Sequence, residues 1–119
     1  MLCLALLVGA CGSSKNLCDT AQLSYTCGYH NGQCVEFTGL STADLDSIQA
    51  FCAQHNGNVI TGPCPTAGRE GTCDDPPGDP NSGVTCSPHA VIEIRYFPPF
   101  DAANAQSLCN NIHGTWTPG

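Results

Sequence analysis

The stretch CVEFTGLSTADLDSIQAFCAQHNGNVITG (34–62) lies without gaps over VIEIRYFPPFDAANAQSLCNNIHGTWTPG (91–119). Identities fall at Glu36/Glu93, Asp44/Asp101, Gln49/Gln106, Cys52/Cys109, Gly57/Gly114 and Gly62/Gly119. They are few, but each stands where one local structure needs it, which makes the overlay a weak internal repeat of about 57 residues. In the first copy, CVEF alternates apolar and polar positions as a half-buried strand does. Ser41 followed by Asp44 resembles a capping box, with a carboxylate in the first helical turn. Leu45, Ile48 and Cys52 then recur at spacings that mark one buried helix face. Asn56-Gly57 supplies a left-handed stop, and NVIT follows as a short strand.

The second copy repeats the plan. VIEIRY is its strand, Pro98 and Pro99 stand around the first helical turn, and Ala105, Leu108, Cys109 and Ile112 point inward. Gly114 ends the helix and TWT forms a last strand. Asp44 and Asp101 could be paired on paper as the acids of a glycoside hydrolase, but their matched places at helix starts make them capping residues. Ahead of each copy stands another strand. LSYTCGYHNGQCVEF (23–37) carries Asn31-Gly32 at its centre, a hairpin signal. REGTC (69–73) pairs with VIEIRYF across DDPPGDPNSGVTCSPHA (74–90), a Pro-, Gly- and Asp-rich insertion without regular structure. The expected fold is α+β: a small disulfide-rich domain of two β-β-α-β pseudo-repeats, about 23–65 and 69–119, with an antiparallel sheet and two helices on one face.

The chain has 119 residues, ten of them cysteine, and ten acidic against three basic residues for a formal net charge of −7. Such a charge repels phosphate backbones, so nucleic acid is not expected as a partner. The cysteine density marks an oxidised extracytoplasmic scaffold. No stretch reaches the roughly 18 apolar residues of a membrane span. The apolar run Met1–Ala10 has instead the length of a signal-peptide core. Val8-Gly9-Ala10-Cys11 resembles the lipobox of bacterial lipoproteins. That resemblance implies a signal peptide over 1–10, cleaved before a diacylglycerol-bearing, acylated Cys11. Residues 11–17 would be anchor and tether, and 18–119 the cysteine-rich domain. No Lys or Arg precedes the apolar run, so the signal is expected to be incomplete at its N-terminus.

With Cys3 removed and Cys11 lipidated, eight cysteines remain: Cys18, Cys27, Cys34, Cys52, Cys64, Cys73, Cys86 and Cys109. An even number closes without leftover thiols. The repeat suggests Cys27–Cys52 and Cys73–Cys109, which leaves Cys34–Cys64 and Cys18–Cys86, one pattern among the 105 that eight cysteines permit. The run CVEFTG…FCAQHNG…GPCPTAGREGTC…IRYFPPF…AQSLCNNIHGTWTPG also looks like small cysteine-rich bacterial lipoprotein domains. The resemblance covers about 23–119 and implies a fold, without catalytic residues.

Candidate chemistry is sparse. Cys27, His30 and Cys34 lie close in sequence, but CGYHNGQC is no zinc knuckle, and its thiols belong in disulfides. Asp74, Asp75, Asp79, Asn81 and Ser82 offer oxygen donors without the order of a calcium loop, and read as a solvated turn. No nucleophile elbow and no Cys-x-x-Cys pair is present. Neither metal nor cofactor is expected. Arg95, Tyr96, Phe97 and Phe100, with Trp116, form the candidate ligand surface, the competing role being completion of the core. The expectation is a non-enzymatic binding or structural module, lipid-anchored through Cys11 in the bacterial cell envelope, at the outer membrane or cell surface, with an unknown protein or glycan partner. The alternative is an enzyme or metal-binding protein with a site built from His30, His55, His89 or His113.

Overall fold

The turn around Asn31-Gly32 folds β1 (Leu23–Gly28) back on β2 (Gln33–Leu40). In this computed structural model, which describes residues 18–119, Gly32 takes a positive φ of 97°, and the Tyr29 amide donates to the Gln33 carbonyl at 2.8 Å. The chain continues through α1 (Thr42–Gln54), β3 (Asn58–Val59), β4 (Gly71–Asp75), β5 (Val91–Tyr96), α2 (Ala102–Asn111) and β6 (Thr115–Pro118). The strands form one six-stranded antiparallel sheet in the order β3-β1-β2-β5-β4-β6. The fold is therefore α+β and disulfide-rich.

Strand register fixes which side chains share a face. Cys27 stands opposite Val35, Val35 opposite Ile94, and Ile94 opposite Cys73. Directly opposed residues point the same way, so these four form one row across the sheet. Cys27 bonds to Cys52 of α1 and Cys73 to Cys109 of α2, and both helices lie on this face. Cys34 falls on the reverse face and bonds to Cys64, while Cys18 bonds to Cys86 of the long loop. These are the four pairs expected from the sequence.

Each helix ends against its own disulfide. Asn56 (φ 58°) and His113 (φ 62°) take left-handed backbones, and the next amides, of Gly57 and Gly114, donate to the Cys52 and Cys109 carbonyls. A Cβ on either glycine would stand well inside van der Waals contact with both disulfide sulfurs, so no larger residue fits there.

The first helix starts as expected at Ser41, whose Oγ accepts from the Asp44 amide at 3.3 Å, and Asp101 caps α2 through the Asn104 amide at 2.8 Å. Asp44 itself departs from expectation. Its carboxylate turns from the helix to the loop and accepts from Thr85 N, Thr85 Oγ1, Cys86 N and Ser87 Oγ at 2.6–3.2 Å. Asp19 takes over one orphan donor of the first turn, accepting from the Thr42 amide at 3.2 Å.

Three further expectations are corrected. Leu108 is exposed, and only Ala105 and Cys109 of α2 are fully buried. The NVIT strand pairs only at Asn58–Val59. The insertion begins at Pro76, since β4 runs through Asp75, and it contributes Val84 and Ala90 to the core beside Phe37, Leu40, Ile48 and Ile92. A second cluster gathers Cys73, Tyr96, Ala105 and Cys109 under α2, with Ile94, Phe100, Ile112 and Trp116 packed around it.

Candidate functional site

The two helices cover different parts of one face. α1 packs on β1, β2 and β3, and α2 on β4 and β6. Between them the central strands β2 and β5 present Val35 and Ile94, which are only half-buried although they stand mid-sheet. A groove of about 980 Å³ opens over them. Phe37, Ile92 and Gln33 extend its floor, Ile48 and Phe51 of α1 with its C-cap His55 form one wall, and loop residues 80–83 form another. Tyr29, His30 and Asn31 of the β1–β2 turn stand at one end.

One buried acid enters this mostly apolar floor. Asp75 follows Cys73 at the strand period, which puts it on the helix side in one row with Ile92 and Phe37. It is 7% exposed and lines the groove. Its Oδ1 is shielded and has no hydrogen-bond partner among the described residues. Burial first, and then the neighbouring Asp79 carboxylate, push its pKa up to about 7. Among the described residues no Lys or Arg lines the groove. Arg95 stands on the reverse face, paired with Glu36 and with Glu93 at 3.2 Å. Glu36 also accepts from the Cys64 amide at 2.7 Å.

The histidines part company. His30 and His55 both line the groove. His55 stacks on Phe51 at 4.0 Å, with its Nδ1 3.0 Å from the Phe51 carbonyl oxygen. A carbonyl oxygen can only accept, so Nδ1 is the donor in that contact. His30 Nε2 lies 3.4 Å from Asn58 Nδ2. His89 and His113 are exposed elsewhere. Among the described residues no group of three or more His, Cys, Asp or Glu side chains is placed to hold a metal ion. Cys27 and Cys34 belong to separate disulfides.

The residues of the expected ligand surface divide between the faces of the sheet, Arg95 on the reverse side and Tyr96 on the helix side. Tyr96 is 2% exposed, with Phe100 edge-on at 5.0 Å and Trp116 tilted against it at 6.1 Å. Phe97 is half-buried, and its amide donates to the Gly32 carbonyl at 2.8 Å. Phe100 lines a smaller hollow of about 410 Å³ shared with Asn31, Pro99 and Leu108. Cys11 lies outside the described residues. The sequence places Asp75 in a solvated turn, whereas the structure buries it at the end of β4. The alternation Gly71, Cys73, Asp75 was the signal for its burial. No protein-family model, no curated protein and no solved structure matches the chain.

Proposed function

We propose that this protein is a lipid-anchored, exported module of the bacterial cell envelope that binds its partner in the groove between the two helices and performs no catalysis. The observation that carries the binding reading is the half-buried pair Val35 and Ile94 at the centre of the sheet, where a helix-covered face would ordinarily be deepest. Export is supported by four disulfides in so short a chain. The anchor is supported by the lipobox and by the pairing of all eight described cysteines with one another, so none of them is a partner for Cys11. No helix among the described residues is long and apolar enough to cross a membrane, and acylation of Cys11 would supply the attachment. A tether of about six residues spans at most ~20 Å and keeps the domain near its bilayer.

The domain is also read as a duplicated β-β-α-β unit. The sheet order supports this, since β3-β1-β2 and β5-β4-β6 are related by a half-turn, with the matched pair Glu36 and Glu93 opposed at its centre. So do the two disulfide-backed helix stops.

Two experiments test the proposal. Cys11→Ser should move the protein from the membrane to the soluble fraction, and retention at the membrane would refute the anchor. The full chain carrying that change, labelled with nitrogen-15 and exposed to soluble envelope extract, should show shifts at the Val35, Phe37 and Ile94 amides while consuming nothing. Turnover of an extract component, or metal retained in equal amount after dialysis, would favour the second reading, a site built on His30 and His55 of the same groove.

A further inference from the structure

We propose that the groove takes a small amphipathic amine, with its apolar body on Val35, Ile92 and Ile94 and its ammonium group donating to the Asp75 carboxyl. This deepens, and rests on, the groove reading above. Three observations converge on that ligand class. Val35, Phe37, Ile92 and Ile94 of the floor and Ile48 and Phe51 of the α1 wall are hydrocarbon and aromatic, which calls for an apolar body. The one acidic side chain on the lining is Asp75, more than nine-tenths buried with an unpartnered oxygen. A buried acceptor without a donor is costly, and a charged donor relieves it best.

Among the described residues no cation reaches that carboxyl. Arg95 is engaged with Glu36 and Glu93 on the reverse face, and Arg69 is absent from the lining. Asp79 of the loop acts on Asp75 by its charge and by a side-chain hydrogen bond, and Asp75 in turn raises the Tyr96 phenol, so its titratable neighbours are both acids. His30 and His55 are the other titratable groups on the groove, with the phenol of Tyr29. A molecule of net charge −7 adds a field that draws cations. Metal is disfavoured as the occupant because no set of three ligating side chains converges among the described residues.

The test is calorimetric titration of the full chain carrying Cys11→Ser, at pH 8, where the Asp75 carboxyl is ionised and an alkyl amine is protonated. The probes are 4-phenylbutylamine and its isosteric alcohol, 4-phenylbutan-1-ol. The amine should bind about tenfold more tightly than the alcohol, the worth of one charge-assisted contact. Asp75→Asn should erase that advantage while leaving the alcohol's affinity within about twofold, and the retained alcohol binding reports that the variant is folded. Asp74→Asn, on the reverse face, should change neither. Equal binding of amine and alcohol to the unsubstituted groove would overturn the ammonium–Asp75 contact and leave the groove reading intact. Failure of both probes to bind, with no shift of the Val35 or Ile94 amides, would remove both. A lysine-bearing peptide that binds better than the amine would overturn the small-molecule occupant in favour of a polypeptide.

Discussion

Asp44 and Asp75 are both buried, at 1% and 7% exposure, and their surroundings drive them in opposite directions. Burial pushes the Asp44 pKa up, but hydrogen bonds from Ser87, Thr85 and Cys86 outweigh it and hold the carboxyl below its ordinary value. A depressed acid stabilises the fold above its unfolded pKa, and that contribution fades as pH falls through the lower folded value. Asp44→Asn should therefore cost about 2–4 kcal/mol at pH 7, because it removes a charged acceptor from several buried donors. Urea denaturation should show the cost shrinking as the pH is lowered below about 4. Unchanged stability at pH 7 would mean that Asp44 does not clamp the loop. Asp75 has the reverse sign. With a folded pKa raised to about 7, it favours the fold when protonated, and stability is lost as pH rises from about 4 through 7. Asp75→Asn should stabilise the unliganded protein by about 1–2 kcal/mol at pH 8 and by nothing near pH 4. A variant that is less stable at pH 8 would show that Asp75 already has a partner.

At the scale of elements, the two helices are held by few residues, and substitutions should sort sharply by face. Ile48 is 4% exposed and packs among Phe37, Leu40 and Val84. Ile48→Ala should cost about 2–4 kcal/mol, whereas Leu108→Ala, at 41% exposure, should stay within about 1 kcal/mol. Thermal unfolding of both variants checks the orientation of α1 and α2 together, and equal costs would contradict it. Much of this level was legible in the sequence. Alternation marked the strands, the spacing of Ile48 and Cys52 marked the inner face of α1, and Asn31-Gly32 marked the hairpin. What failed was tertiary in origin. Leu108 fits the helical period, but α2 lies over β4 and β6 at one side of the sheet and needs only Ala105 and Cys109 to dock. Asp44 has the sequence context of a cap, yet the loop at 85–87, distant in sequence, claims its carboxylate. The groove exists because α1 and α2 leave β2 and β5 uncovered, and no local pattern records the gap between two helices.

For the whole molecule, covalent links and sheet do the work that a thin core cannot. The disulfide loops span 25, 30, 36 and 68 residues, and each bond stabilises by about 2–4 kcal/mol in the chain-entropy account. Cys18–Cys86 fastens the start of the domain to the insertion that forms one wall of the groove. Replacing both of its cysteines by Ala should weaken binding in the groove and lower the unfolding midpoint. Replacing Cys34 and Cys64, on the reverse face, should lower stability and leave binding alone. Loss of binding in both variants would argue that the groove depends on overall stability rather than on its wall. The eight domain cysteines are closed upon one another, and the proposed anchor assigns Cys11 to lipid. The most direct test is the intact mass of the protein extracted from membranes, measured natively and again after denaturation and alkylation without reduction. A chain that starts at Cys11, carries acyl groups and takes up no alkyl label is the predicted result. An unacylated start, or alkylation of any cysteine from Cys18 to Cys109, would contradict it.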